Sequence, residues 1–210
     1  MTSLASGFIF YLVLLLLIAI LSSSHNKTLP DFLLAGRKLG PWVVAFSECA
    51  SGESGWLLLG LTGLAYASGL GDPSGEKLEP ALWTAVGCFC GLTMAWILIA
   101  RPLRIASEKY GALTLPRYLE VRLGESSGRP RDPLLRLVST AIIAFCFTFY
   151  ISAQFAAAGK ALQGAFGWEP WIGTLVGMGV IVLYTLMGGF LAVAWTDFIQ
   201  GWLMLITLVV

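Results

Sequence analysis

The sequence predicts an all-α, polytopic membrane protein of a single membrane domain, and three observations predict it. Of 210 residues, 57% are hydrophobic and only 12% are charged, where a soluble domain carries about a quarter charged residues. The mean hydropathy is +0.81. The apolar residues fall in long charge-free runs, and about 20 such residues cross the hydrocarbon of a bilayer. The 24 Gly and 8 Trp fit the same solvent, because Gly permits close helix approach and Trp favours the interface. This composition excludes soluble enzymes, disordered tails and disulfide scaffolds. A net charge of +1 offers no basic excess for nucleic acid.

Span 1, about 4–24, holds the run FIFYLVLLLLIAIL. No Lys or Arg precedes it, so it reads as a retained helix and not as a signal peptide. Span 2, about 42–70, is interrupted by the polar string from Ser47 to Gly55. Spans 3, 4 and 5 occupy about 81–100, 137–159 and 171–187. Span 6, about 190–210, follows the Gly188-Gly189 turn and carries one charge, Asp197. It ends at Val210 inside an apolar run, the pattern expected of a truncated chain.

Eleven of the 13 basic residues lie in two loops: Lys27, Arg37 and Lys38 in 25–41, and eight Arg and Lys in 101–136. Only Lys77 and Lys160 remain for the other side. The positive-inside rule makes the eleven cytoplasmic and puts the N-terminus outside. Within the longer loop, Pro116 before RYLEVRL predicts a short interfacial helix, and GESSGRPRDP reads as a linker. Cys49, Cys88, Cys90 and Cys146 sit in apolar stretches and read as small packing residues. His25 has no partner at metal-ligand spacing.

Acids at membrane depth cost about 2.5–3.5 kcal/mol at a helix centre and are functional candidates by default. Glu48, Glu53 and Asp197 qualify. Around Glu53, the residues Ser47, Ser51, Gly52, Ser54 and Gly55 are poor helix formers, which predicts a helix break between about Ala50 and Gly55. Unwound backbone exposes carbonyls that ligate a hard cation such as Na⁺, and N–H groups that hold a carboxylate. The alternative is that the small residues serve helix packing, with the glutamates solvated near an interface.

Three stretches, DFLLAGRKLGPWVVAFSECASGESGWLLLGLTGLAYASGL (31–70), ALTLPRYL (112–119) and GGFLAVAWTDFIQ (188–200), resemble the solute:sodium symporter family, above all its sodium/proline symporter branch. The resemblance implies a leucine-transporter-type inverted-repeat fold, with spans 2–6 as the first five-helix repeat behind an extra first helix and the second repeat missing. It implies a sodium ion held by the backbone at Ala50 and Glu53, with Asp197 in cation coupling. It implies a substrate pocket faced by Ser54, Gly55, Trp56 and Tyr150, and a cytoplasmic Arg37 needed for coupling. Where the proline branch reads Ser-Asp-Met-Ser-Gly-Trp, this sequence reads Ser51-Gly52-Glu53-Ser54-Gly55-Trp56, so the acid is shifted by one residue and longer by one methylene.

The resulting expectation is not an enzyme but a multi-pass transporter of the cell's inner (plasma) membrane, importing sodium with a small zwitterionic solute such as proline by alternating access. Its partners are that solute, Na⁺ and the lipid bilayer. The alternatives are a sensor domain of transporter fold ahead of a signalling kinase, or a non-functional fragment. A membrane hydrolase lacks a His-paired nucleophile.

Overall fold

The computed structural model describes residues 2–52, 55–69, 80–126 and 132–209. All its elements are helical, as an all-α polytopic membrane fold requires. Four of these helices are long and apolar enough to cross a membrane: Leu4–Ser23, Pro80–Lys109, Pro133–Phe166 and Pro170–Thr207. They expose large apolar side chains such as Phe10 (70%), Phe89 (72%) and Leu186 (69%), surface that hydrocarbon solvates and water does not. The helices form two compact units. The first comprises residues 1–56 and 152–210, and the second 57–151.

In the first unit, α1 (Thr2–Ser23) carries no charge, and the hydroxyls of Ser23 and Ser24 turn back onto the carbonyls of Ile20 and Leu21 at its end. The short α2 (Leu29–Leu34) starts in a capping box: the Asp31 N–H donates to the Thr28 hydroxyl and the Thr28 N–H to the Asp31 carboxylate. The Thr28 hydroxyl also donates to that carboxylate, at 2.7 Å, and holds the Asp31 carboxyl below its ordinary value. A single turn with positive φ at Ala35 (49°), Gly36 (60°) and Arg37 (58°) leads out of α2. Pro41 then opens α3 (Pro41–Gly52), where its missing N–H has no intrahelical partner to lose.

The 40 residues of α9 (Pro170–Val209) would reach about 60 Å if straight. They fold back at Gly189, whose φ of 58° and ψ of −157° are open almost only to glycine. Val180 and Tyr184 before the bend, and Val193 after it, pack round the same Leu15–Ala19 stretch of α1. Gln200 donates to the Tyr11 hydroxyl from the second limb. The bend is possible because Gly188 lies against the backbone of Ala19, where a Cβ would sit 3.1 Å from its Cα and oxygen.

The C-terminal part of α8 (Pro133–Phe166) crosses the first limb of α9 through glycines. A Cβ on Gly159 would lie 2.5 Å from the Pro170 oxygen, and one on Gly173 would lie 3.1 Å from the Gly159 oxygen. Beyond the crossing, Phe8, Phe166 and Trp168 form an aromatic cluster beside an apolar cleft of about 400 Å³.

In the second unit, wide π-type turns over Trp56–Leu61 lead into α4 (Thr62–Ser68), which packs on α5 (Pro80–Met94). Further wide turns over Ala95–Ala100 join α5 to α6 (Arg101–Lys109), so the helical rod carries Arg101 and Arg104 on its end. Gly111 ends it with φ 60°. The amphipathic stretch after Thr114 forms α7 (Leu115–Ser126). There the buried Glu120 pairs with Arg117 at 2.7 Å, Arg122 donates to the Tyr118 hydroxyl, and hydrogen bonding to Glu125 pushes the Tyr110 phenol up.

The cysteines are free thiols in the described helices. Cys49, Cys90 and Cys146 are exposed and Cys88 is half-buried.

Candidate functional site

The second limb of α9 and the helix α3 meet through aromatic contacts centred on Phe46 and polar contacts centred on Asp197. Phe46 stacks on Trp202 at 5.0 Å and meets Phe198 edge-on at 5.3 Å. Gly201 lies against the Phe46 ring, where a Cβ would be only 2.8 Å from it. The residue beside Phe46 makes the polar contact: the buried Ser47 hydroxyl donates to Oδ2 of Asp197 at 2.7 Å. Ser51, one turn further along the same face of α3, reaches the same oxygen at 3.5 Å. Thr196 is fully buried next to Asp197 and donates back to the Val193 carbonyl at 2.8 Å. Asp197 itself is half-buried.

The donors gathered here are a carboxylate and two hydroxyls, with Ala50 adjoining Ser51 in the chain. Oxygen donors of this kind suit a hard cation. A hydroxyl that hands its proton to the carboxylate keeps two lone pairs for an ion.

The remaining candidates fall as follows. Arg37 ends the positive-φ turn that packs against α9 and is half-buried. The Gly55 N–H donates to Oε1 of Gln154 on α8 at 2.7 Å, and Trp56 opens the wide-turn segment. Glu53 and Ser54, and with them the middle of the expected helix break, lie outside the described residues. Tyr150 belongs to the second unit, where it is 46% exposed with its ring 6.1 Å from that of Phe147. The structure thus joins Asp197 to the serine face of α3 and Gly55 to α8.

Two partners escaped the sequence reading. Ser47 stood out only as one of several small polar residues, and Gln154 did not stand out. The signal for Gln154 was present: it is a primary amide inside the apolar run 137–159, and an amide at that depth needs a partner.

The family model for the sodium:solute symporter family matches residues 32–210, which covers both polar contacts. The chain belongs to the sodium:solute symporter family. Among curated proteins it is similar to the high-affinity proline transporter PutP of Bacillus subtilis, 39% identical over 196 residues and 93% of this chain. The sodium/proline symporter of Haemophilus influenzae is 39% identical over 203 residues, and that of Escherichia coli 36% over 203 residues, each covering 96% of this chain. The chain spans 38% of the length of each of these three relatives. No solved structure matches it significantly.

Proposed function

We propose that the protein is a sodium-coupled symporter that imports a small zwitterionic solute, proline before others, by alternating access. The observation that carries this reading is the Asp197 carboxylate held by Ser47 and Ser51 beside Ala50, an oxygen-rich place inside helices that are otherwise apolar. Relatives bearing the name sodium/proline symporter support the choice of ion and solute.

In this reading the first helix and the first five-helix repeat of a leucine-transporter-type fold lie within residues 1–210, with the N-terminus outside. Sodium is held by backbone oxygens at Ala50 and Glu53, and Asp197 draws it in. The solute lies along Ser54, Gly55 and Trp56, Tyr150 is a further candidate by resemblance to the family, and Arg37 couples ion and solute movement from the cytoplasmic side. Coupling arises because both ligands bind the outward-open state more tightly than the empty inward-open one.

The test is uptake of labelled L-proline into proteoliposomes holding the protein at its natural length, driven by an inward sodium gradient. A carboxylate about 4 Å from a cation is worth about 1 kcal/mol in water and about 4 kcal/mol at an effective dielectric of 20. Asp197→Asn is therefore expected to raise the sodium concentration for half-maximal uptake by about tenfold or more, since about 1.4 kcal/mol is one decade. Membrane abundance should be unchanged or better, because a charge is removed from an apolar helix. A sodium titration that matches the wild type removes Asp197 from the mechanism. Uptake by the wild type that ignores sodium overturns the symporter reading.

A further inference from the structure

Gly55 is the first described residue after Gly52, and its amide bonds to a side chain of another helix. Inside a regular helix an N–H points along the axis to the carbonyl four residues back. The Gly55 N–H donates to Oε1 of Gln154, on another helix, at 2.7 Å. A second, independent observation places the same two segments in contact. A Cβ on Gly55 would stand 2.6 Å from the Cβ of Ala157 and 3.1 Å from Gln154 Oε1. Gln154 and Ala157 are three residues apart and share one face of α8, so that face is pressed against the backbone at residue 55.

The sequence supplies the cost of this arrangement. Gln154 sits in a run of apolar and small residues where a primary amide is unfavourable unless it is bonded. The bond it makes goes not to a side chain, which could rotate away, but to main chain at the mouth of the wide-turn segment Trp56–Leu61.

We infer that Gln154 is a positioning residue of the solute site. Its amide oxygen fixes the direction of the Gly55 N–H and so the main chain that enters Trp56, within the stretch assigned above to the solute. The inference rests on that assignment. It says which group outside the segment presets its shape, and preset shape reduces what binding must spend on ordering.

Three substitutions separate positioning from space filling. Gln154→Met keeps the volume and removes the acceptor. Gln154→Asn keeps the amide but falls one methylene short. Gln154→Glu keeps an acceptor at the same reach. In sodium-driven L-proline uptake by the protein at its natural length, Met and Asn are expected to raise the KM for proline by about three- to tenfold, the worth of one neutral hydrogen bond. The maximal rate per copy in the membrane should change by less than about twofold, and Glu should restore the KM to within about twofold of wild type. A KM for Gln154→Met equal to that of wild type overturns the inference while sodium-driven uptake by the wild type keeps the symporter reading intact. Equal damage by Met, Asn and Glu, or absence of all three from the membrane, makes Gln154 a packing residue and overturns it as well. No sodium-dependent uptake by the wild type defeats the symporter reading itself, a result distinct from the others.

Discussion

A single methyl group at Gly159 tests the crossing of α8 and α9. On an isolated helix Gly159→Ala would be favourable by about 1 kcal/mol, because glycine loses more backbone freedom on ordering than alanine. Here the new carbon would lie 2.4 Å from the Thr174 hydroxyl oxygen and 2.5 Å from the Pro170 carbonyl oxygen. The hydroxyl can rotate; the carbonyl belongs to the backbone that opens α9 and cannot. The two helices must separate, and overpacking of this kind costs about 1–3 kcal/mol, enough to exceed the propensity gain. The same helix provides its own control, since a Cβ on Gly164 meets nothing within 4 Å and Gly164→Ala should be neutral or stabilising. The assay is the thermal midpoint in detergent, followed by size-exclusion of a fluorescent fusion. At about 2–4 °C per kcal/mol, Gly159→Ala should melt several degrees below Gly164→Ala. A Gly159→Ala midpoint at or above that of wild type would refute the close crossing.

Gly189→Ala should be more severe, because its φ and ψ are nearly closed to alanine and its methyl would meet the Phe32 carbonyl oxygen at 2.8 Å; membrane abundance should fall by about fivefold or more, and wild-type abundance would disprove the glycine-only bend. Thr28→Ala should speed amide exchange over residues 29–34 by about threefold or more through loss of the capping box, and unchanged exchange would count against the cap. The Asp31 carboxyl is held below its ordinary value by the Thr28 hydroxyl, so its contribution is complete above the unfolded-state value and is lost as pH falls through the lower folded one. Protection of residues 29–34 should therefore persist at about pH 5 and decline only below about pH 4, where Asp ordinarily titrates; decline beginning near neutrality would contradict this.

The all-α membrane architecture was legible because the solvent writes it plainly: charge-free runs of spanning length have few other uses in 210 residues. Family membership was legible from short strings such as AGRKLGP and WTDFIQ. The contacts were not. Ser47 and Asp197 are 150 residues apart in sequence, and Gly55 and Gln154 are 99 apart. In a soluble helix the apolar stripe tells which face meets the core, but α1 is apolar all round and carries no such stripe. Glycine is equally mute in sequence. Gly159 and Gly188 lie in tight crossings, whereas Gly87 and Gly91 face open space, and nothing in their immediate neighbours distinguishes them.

The polar side chains within apolar helices carry the information that apolar patterning cannot. Lipid solvates Leu as well as a neighbouring helix does, so apolar residues give little preference for one helix pairing over another. A hydroxyl, an amide or a carboxylate at membrane depth has few acceptable partners. In this chain Gln200 bonds Tyr11 across α9 and α1, Asp197 bonds Ser47 across α9 and α3, and Gln154 bonds Gly55 from α8. Each pair joins two elements, and each except the first involves a residue assigned above to ion or solute. Under the proposed function, two of these three pairs therefore contain a group that is also available to the cargo. Under that same proposal, a ligand that competes for such a group would loosen one helix contact as it binds, which is the differential interaction that coupling between transport states requires.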